Sequence, residues 1–198
     1  AASDVYKRQS FTYPATSLVS YLFQRVPGQF YEWQCLAGLD ILFLACIAPA
    51  AAMPRKNWAG AVLVFAAGFL LPFFFSVVPA GTPSTIYANA MADTPLALLF
   101  GGTLCLYAAA GGRKTGFFAC AMPLAVLTMI KDIGFAYALI VTFLIGLDQL
   151  FGTPHPDTKP ARIFGVSLAK CSILAVVVLA VFISWNRYTC LLYTSPSP

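Results

Sequence analysis

The sequence predicts an all-α fold, a polytopic integral membrane bundle of about six transmembrane helices plus one interfacial helix. Three observations carry that prediction. Hydrophobic residues make up 60% of the chain and charged residues only 10%, against about 45–50% and about 25% in soluble domains. Apolar runs of bilayer-matching length recur along the chain, and they lack the polar face that a water-soluble bundle needs to cover its core. Charges fall mostly between those runs, with the basic ones concentrated in alternate loops.

The two ends are expected to be foreign to the protein. Residues 1–9, AASDVYKRQ, back-translate to a sequence that resembles the end of a transposase-type sequencing adapter. Residues 190–198, CLLYTSPSP, resemble the reverse complement of the same element. The native segment is then expected over 10–189, as a piece of a longer polytopic protein.

Residues 10–35 read as an interfacial segment, because Leu18, Tyr21, Leu22 and Phe23 run into Gln24, Arg25, Pro27, Gly28 and Gln29. Phe30, Tyr31 and Trp33 then gather where an aromatic belt is expected. The transmembrane bundle follows over 36–189. Its first span, 36–53, contains Asp40 and Pro49 and is stopped by Pro54, Arg55 and Lys56. The second, 58–78, carries Pro72, which removes a helical hydrogen bond and predicts a kink.

A polar loop, 79–94, precedes the third span, 95–110, where Asp93 or Thr94 can cap the helix and Pro95 suits its first turn. The turn from Gly111 to Lys114 leads into the fourth, 115–130. At about 1.5 Å per residue this run reaches roughly 24 Å, short of the ~30 Å hydrocarbon core, which draws Lys131 and Asp132 to the apolar edge. The fifth span is 133–151 and the sixth 163–185.

Loop charges orient the bundle. Arg55, Lys56, Arg113, Lys114, Lys159 and Arg162 fall on one side, and Arg25, Lys131 and Arg187 on the other. The positive-inside rule makes the first group cytoplasmic, so Asp93, Lys131 and Asp132 face outward and Asp40 enters the bilayer from that same face. The expected location is a bacterial inner membrane, crossed several times.

Ionisable groups at a membrane face are functional candidates with partners to be named. Each also has a plain structural alternative. Asp93 can serve as a helix cap, Lys131 and Asp132 as solvated turn charges, and Asp40 as an interhelical polar contact. Lys170, inside the sixth span, has a stem long enough to snorkel to the interface. The single histidine, His155, supplies no metal site, and the six cysteines show no CxxC spacing, which supports neither zinc nor a disulfide framework. The formal net charge of +5 reports topology and requires no nucleic-acid partner.

Tyr13-Pro14 before an interfacial helix, a polar loop ending in Tyr87 to Asp93, and the run MPLAVLTMIKDIGFAYALIV resemble the middle of polytopic GT-C glycosyltransferases. These are relatives of the protein O-mannosyltransferase and lipid-linked aminoarabinose transferase group. Tyr13-Pro14 matches two positions of that family's Tyr-Pro-Pro motif, with Ala15 in place of the second proline. Lys131 and Gly134 match its Lys-x-x-Gly element.

The resemblance implies a polyprenyl-phosphate-linked sugar as donor and transfer at the outer face, with an acidic pair upstream of Ser10. Such transfer needs a carboxylate to deprotonate the acceptor and a cation to stabilise the departing phosphate. Lys131 suits the phosphate, and Asp93 and Asp132 suit acceptor positioning, a hold on Lys131, or support of a divalent cation. Tyr87, Asp40 and Tyr13 are the expected substrate-binding residues. The bilayer and the lipid-linked donor are the expected partners, and the oligomeric state stays open. A transporter or flippase-like carrier, and a noncatalytic membrane protein, are the alternatives.

Overall fold

The computed structural model describes residues 14–25, 31–53, 57–74, 93–110, 114–152 and 160–194. All regular structure among them is helical. In chain order the elements are α1 (Ala15–Arg25), α2 (Glu32–Ala52), α3 (Trp58–Phe74), α4 (Asp93–Ala110), α5 (Lys114–Ala119), α6 (Ala121–Thr128), α7 (Gly134–Leu147) and α8 (Pro160–Thr194). The end of α7 widens into a π-helical turn over Asp148–Gly152. The chain divides into two compact units, one spanning Ala15–Cys120 and one carried by the helices that follow.

In the first unit α2 is the central element, and α1, α3 and α4 each pack on it. Leu39, Phe43 and Ile47 recur every fourth residue and so form one buried stripe along α2. Leu96, Leu99, Thr103 and Tyr107 form the matching stripe on α4. Glycines set the spacing. A Cβ at Gly68 of α3 would lie 2.8 Å from the Ile47 side chain, and one at Gly102 of α4 would lie 2.9 Å from the Cys46 carbonyl oxygen. Backbones that approach this closely gain dispersion contacts, the main attraction left when lipid is as apolar as the helix surface. Thr103 keeps its hydroxyl from competing by donating to the Leu99 carbonyl of its own helix at 2.6 Å.

In the second unit α6, α7 and α8 pack on one another around Leu124, Leu127, Ala138, Val141, Leu174 and Val178, all fully buried. Helices α7 and α8 are antiparallel, because their contacts fall in reversed order. Phe135 stacks on Phe182 with ring centroids 4.2 Å apart, a Cβ at Gly146 would lie 2.8 Å from Cys171 Sγ, and Gln149 meets Ser167 and Lys170.

The all-α prediction holds. Among the described residues, four helices are long and apolar enough to cross a membrane: Trp33–Ala52, Asp93–Ala110, Gly134–Phe151 and Phe164–Leu191. Between 17% and 33% of the residues in the apolar windows of these stretches are buried within the protein, so most of their side chains are at least partly exposed. Helices apolar on all sides, with little of that surface covered by protein, are built for a hydrocarbon surrounding.

The six expected spans need one revision. Helix α3 starts at the expected Trp58 and runs apolar to Phe74, and residues 75–78 of the expected second span lie outside the described residues. The expected fourth span, 115–130, is not one continuous helix but breaks at Cys120, whose N–H bonds tightly back to Phe117 O at 3.2 Å. Pro123 explains the break, since it supplies no N–H for the Ala119 carbonyl and its ring crowds that group. Two boundaries also shift. Helix α2 begins at Glu32, a turn before the expected start, and α8 continues to Thr194 because no glycine or proline interrupts it after Gly165.

Candidate functional site

Asp93 is the first residue of α4, and its side chain is exposed. A carboxylate in the first turn is favoured there by the positive end of the helix dipole. Thr94 follows, and Pro95 is buried in the same turn, where a missing N–H leaves no hydrogen bond unmade.

Lys131 and Asp132 lie side by side and exposed in the turn between α6 and α7. Backbone groups close this turn: Met129 N–H donates to Val126 O at 2.9 Å, Ile130 N–H to Leu127 O at 3.3 Å, and Gly134 N–H to Lys131 O at 2.8 Å. Ile133 occupies the cap position of α7, and no side chain caps that helix.

Asp40 sits eight residues into α2, deeper than the single turn expected from a span starting at 36. It is half-buried, and its Oδ1 is shut off from solvent and accepts no hydrogen bond. Gln34 Oε1, one helical segment earlier, is in the same state. An orphaned buried acceptor destabilises a fold by about 1–3 kcal/mol. We therefore expect Asp40→Leu to raise the unfolding free energy of the solubilised protein by about that amount, read from denaturant titration followed by circular dichroism. A drop in stability would mean that Asp40 has a structural partner.

Tyr13 and Tyr87 lie outside the described residues. Asp40 and Asp93 belong to the first unit, and Lys131 and Asp132 to the second. Among the described residues no three His, Cys, Asp or Glu side chains gather as a metal site would require.

Two polar clusters escape a reading of the sequence. At the start of α2, Ser20 Oγ donates to the Cys35 carbonyl at 3.5 Å and Gln24 Nε2 donates to Cys35 Sγ, tying α1 to α2. At the far end of α7, Lys170 Nζ donates to Gln149 Oε1 at 2.8 Å, while Ser167 Oγ donates to the Gln149 carbonyl at 3.5 Å. The snorkelling expected of Lys170 thus has a specific end point. Only the aliphatic length of Lys170 hinted at it, because the partner is 21 residues away in sequence.

The described residues define an all-helical protein with four helices long and apolar enough to cross a membrane and a few charged residues near helix ends. Comparison with known protein families, characterised proteins and solved structures finds no match, so its chemistry has to be read from its own residues.

Proposed function

We propose that the chain forms part of a membrane glycosyltransferase that moves a sugar from a polyprenyl-phosphate donor to an acceptor at the extracytoplasmic face of a bacterial inner membrane. The observation that supports it most is the contact of Gly102 with Cys46. With α2 and α4 both running inward from the outer face, Asp93 lies nine residues before Gly102 and Asp40 six before Cys46. At about 1.5 Å per residue the two carboxylates then differ in depth by only about 5 Å. An acceptor hydroxyl entering from outside reaches the exposed Asp93 first, at nearly the depth of Asp40.

Lys131, in the second unit, takes the donor phosphate in this reading. An ammonium at the apolar edge meets a lipid-linked phosphate at its own depth and stabilises it as the sugar departs. Asp132 holds Lys131 or a divalent cation, and Asp93 positions the acceptor. Tyr13, Tyr87 and Asp40 complete the substrate-binding set.

The test is donor affinity. Purified protein in nanodiscs is expected to bind a polyprenyl-phosphate sugar, with Lys131→Ala at least about tenfold weaker and Lys131→Arg close to wild type. Equal affinity of the alanine variant removes Lys131 from the site.

A carrier is the second reading, favoured by one observation: the orphaned Oδ1 of Asp40 lies inside a membrane-crossing helix, where ionisable groups mark substrate and ion pathways. Uptake into proteoliposomes that Asp40→Asn abolishes, with no donor binding, would establish it in place of the transferase.

A further inference from the structure

Two levels of charge bound the helices of the second unit. Along α7 the sequence carries no charged residue between Asp132 and Asp148, and along α8 none between Lys170 and Arg187. Contacts between these antiparallel helices bring the charges to matching levels. At one end Lys170 Nζ donates to Oε1 of Gln149, the neighbour of Asp148, at 2.8 Å. Toward the other end, three residues beyond the stacked pair Phe135 and Phe182, Asp132 comes level with Trp185, and Lys131 falls within about one residue of Arg187. Lys131, Asp132 and Arg187 are exposed there. Trp185 and Tyr188 pair with ring centroids 5.6 Å apart at that same level, as aromatic side chains do at a membrane boundary.

The two levels are close together. Asp148 lies sixteen residues after Asp132, and Arg187 seventeen after Lys170. At about 1.5 Å per residue those separations are roughly 24–26 Å, against the ~30 Å hydrocarbon core of an ordinary bilayer, and any tilt shortens the projected span further. Snorkelling does not close the gap. Aspartates have short stems, and the Lys170 ammonium is held at Gln149. Past Lys170, α8 continues through the exposed apolar residues Leu168, Val166 and Phe164, which a full-thickness layer would cover. That layer would also sink Asp148, Gln149 and Lys170 about one turn into hydrocarbon. Submerging an acidic and a basic side chain is costlier than leaving three apolar ones at the interface, which accepts amphipathic helix surface.

We propose that α7 and α8 fit a hydrocarbon layer of about 24 Å, with its edge at Asp148 and Lys170 rather than at Phe164, so that an ordinary bilayer thins around them. Lipids with short acyl chains are then the preferred neighbours of this unit. The inference is independent of the transferase reading, since it holds whatever the charged residues bind.

Depth is the first test. In a chain whose cysteines are changed to alanine, Leu168→Cys and Val176→Cys carry spin labels at exposed positions of α8. In dioleoyl phosphatidylcholine vesicles the Val176 label, near the midpoint between the two charge levels, is expected to be relaxed by oxygen, and the Leu168 label by a water-soluble nickel chelate. A Leu168 label as shielded from nickel as the Val176 label would overturn the proposal. So would a Val176 label shielded from both, which would mean that a second copy rather than lipid covers α8. Chain length is the second test. With Trp33, Trp58 and Trp185 changed to phenylalanine and Val176→Trp as reporter, phosphatidylcholine with fourteen-carbon chains is expected to displace a brominated eighteen-carbon lipid about fivefold better than one with twenty-two-carbon chains. Combining Asp148→Leu with Lys170→Leu lengthens the apolar stretch and should move the optimum to longer chains, with helicity by circular dichroism checking the fold. No dependence on chain length, a preference for the longest chains before that change, or an optimum unmoved in the folded double variant would each contradict the fit.

Discussion

Gly102→Leu is expected to detach α4 from α2 and to lower the stability of the first unit by more than about 3 kcal/mol. The reason lies in which atoms stand opposite. A Cβ at Gly102 would lie 2.9 Å from the Cys46 carbonyl oxygen, 3.0 Å from its Cβ and 3.1 Å from its Cα. Two of the three are backbone atoms of a helix that also carries α1 and α3, so relief requires moving α2 as a whole. Gly38 presents the opposite case. A Cβ there would meet the Phe23 ring at 2.7 Å, but a ring can swing aside, so Gly38→Ala should cost no more than about 1 kcal/mol. Gly101, one residue from Gly102, has nothing within 4 Å. Gly101→Ala should therefore stabilise by up to about 1 kcal/mol through helix propensity alone. Unfolding of the three variants in mixed micelles, followed by helical circular dichroism, gives the ranking. A Gly102→Leu protein as stable as wild type would mean that α2 and α4 do not pack at this spacing.

These glycines also show where sequence reading stops. Apolar runs reveal which residues suit hydrocarbon, and four of them became helices of membrane-crossing length near the expected positions. A run does not mark where the hydrogen-bond ladder ends. Glu32 to Cys35 are too polar to extend an apolar span yet continue the α2 helix, while nothing after Gly165 stops α8. The break at Cys120 had a visible cause in Pro123, which removes one hydrogen bond from an otherwise uniform run. At the candidate site, Asp93, Lys131 and Asp132 stood out because charge is scarce in such a chain, and all three are exposed at helix ends. The orphaned oxygen of Asp40 and the tie between Lys170 and Gln149 depend on which side chains meet across helices. Residue type alone carries no record of that.

Val176→Asp separates a membrane setting from an aqueous one. Val176 is 63% exposed and lies near the middle of the Phe164–Leu191 stretch, so it touches little else in the protein. In water an exposed valine on a helix exchanges for aspartate with a change of about 0.5 kcal/mol or less. At the centre of a bilayer the same carboxylate is disfavoured by about 2.5–3.5 kcal/mol, because neither water nor a partner replaces its hydration. Lys170, six residues into the same stretch, is tolerated because its stem carries the ammonium to Gln149 at the end of α7. Aspartate at 176 has too short a stem to make such an escape, and α8 can move the charge to an interface only by sliding several residues along α6 and α7. That slide would pull Leu174 and Val178 out of the core they share with Val141 and Leu124. The expected result is retained insertion, because the rest of α8 stays apolar, with folding stability in bilayers lowered by about 2.5–3.5 kcal/mol and Val176→Leu close to neutral. If Val176→Asp changed stability by less than about 0.5 kcal/mol, the exposed face of α8 would have to be in contact with water.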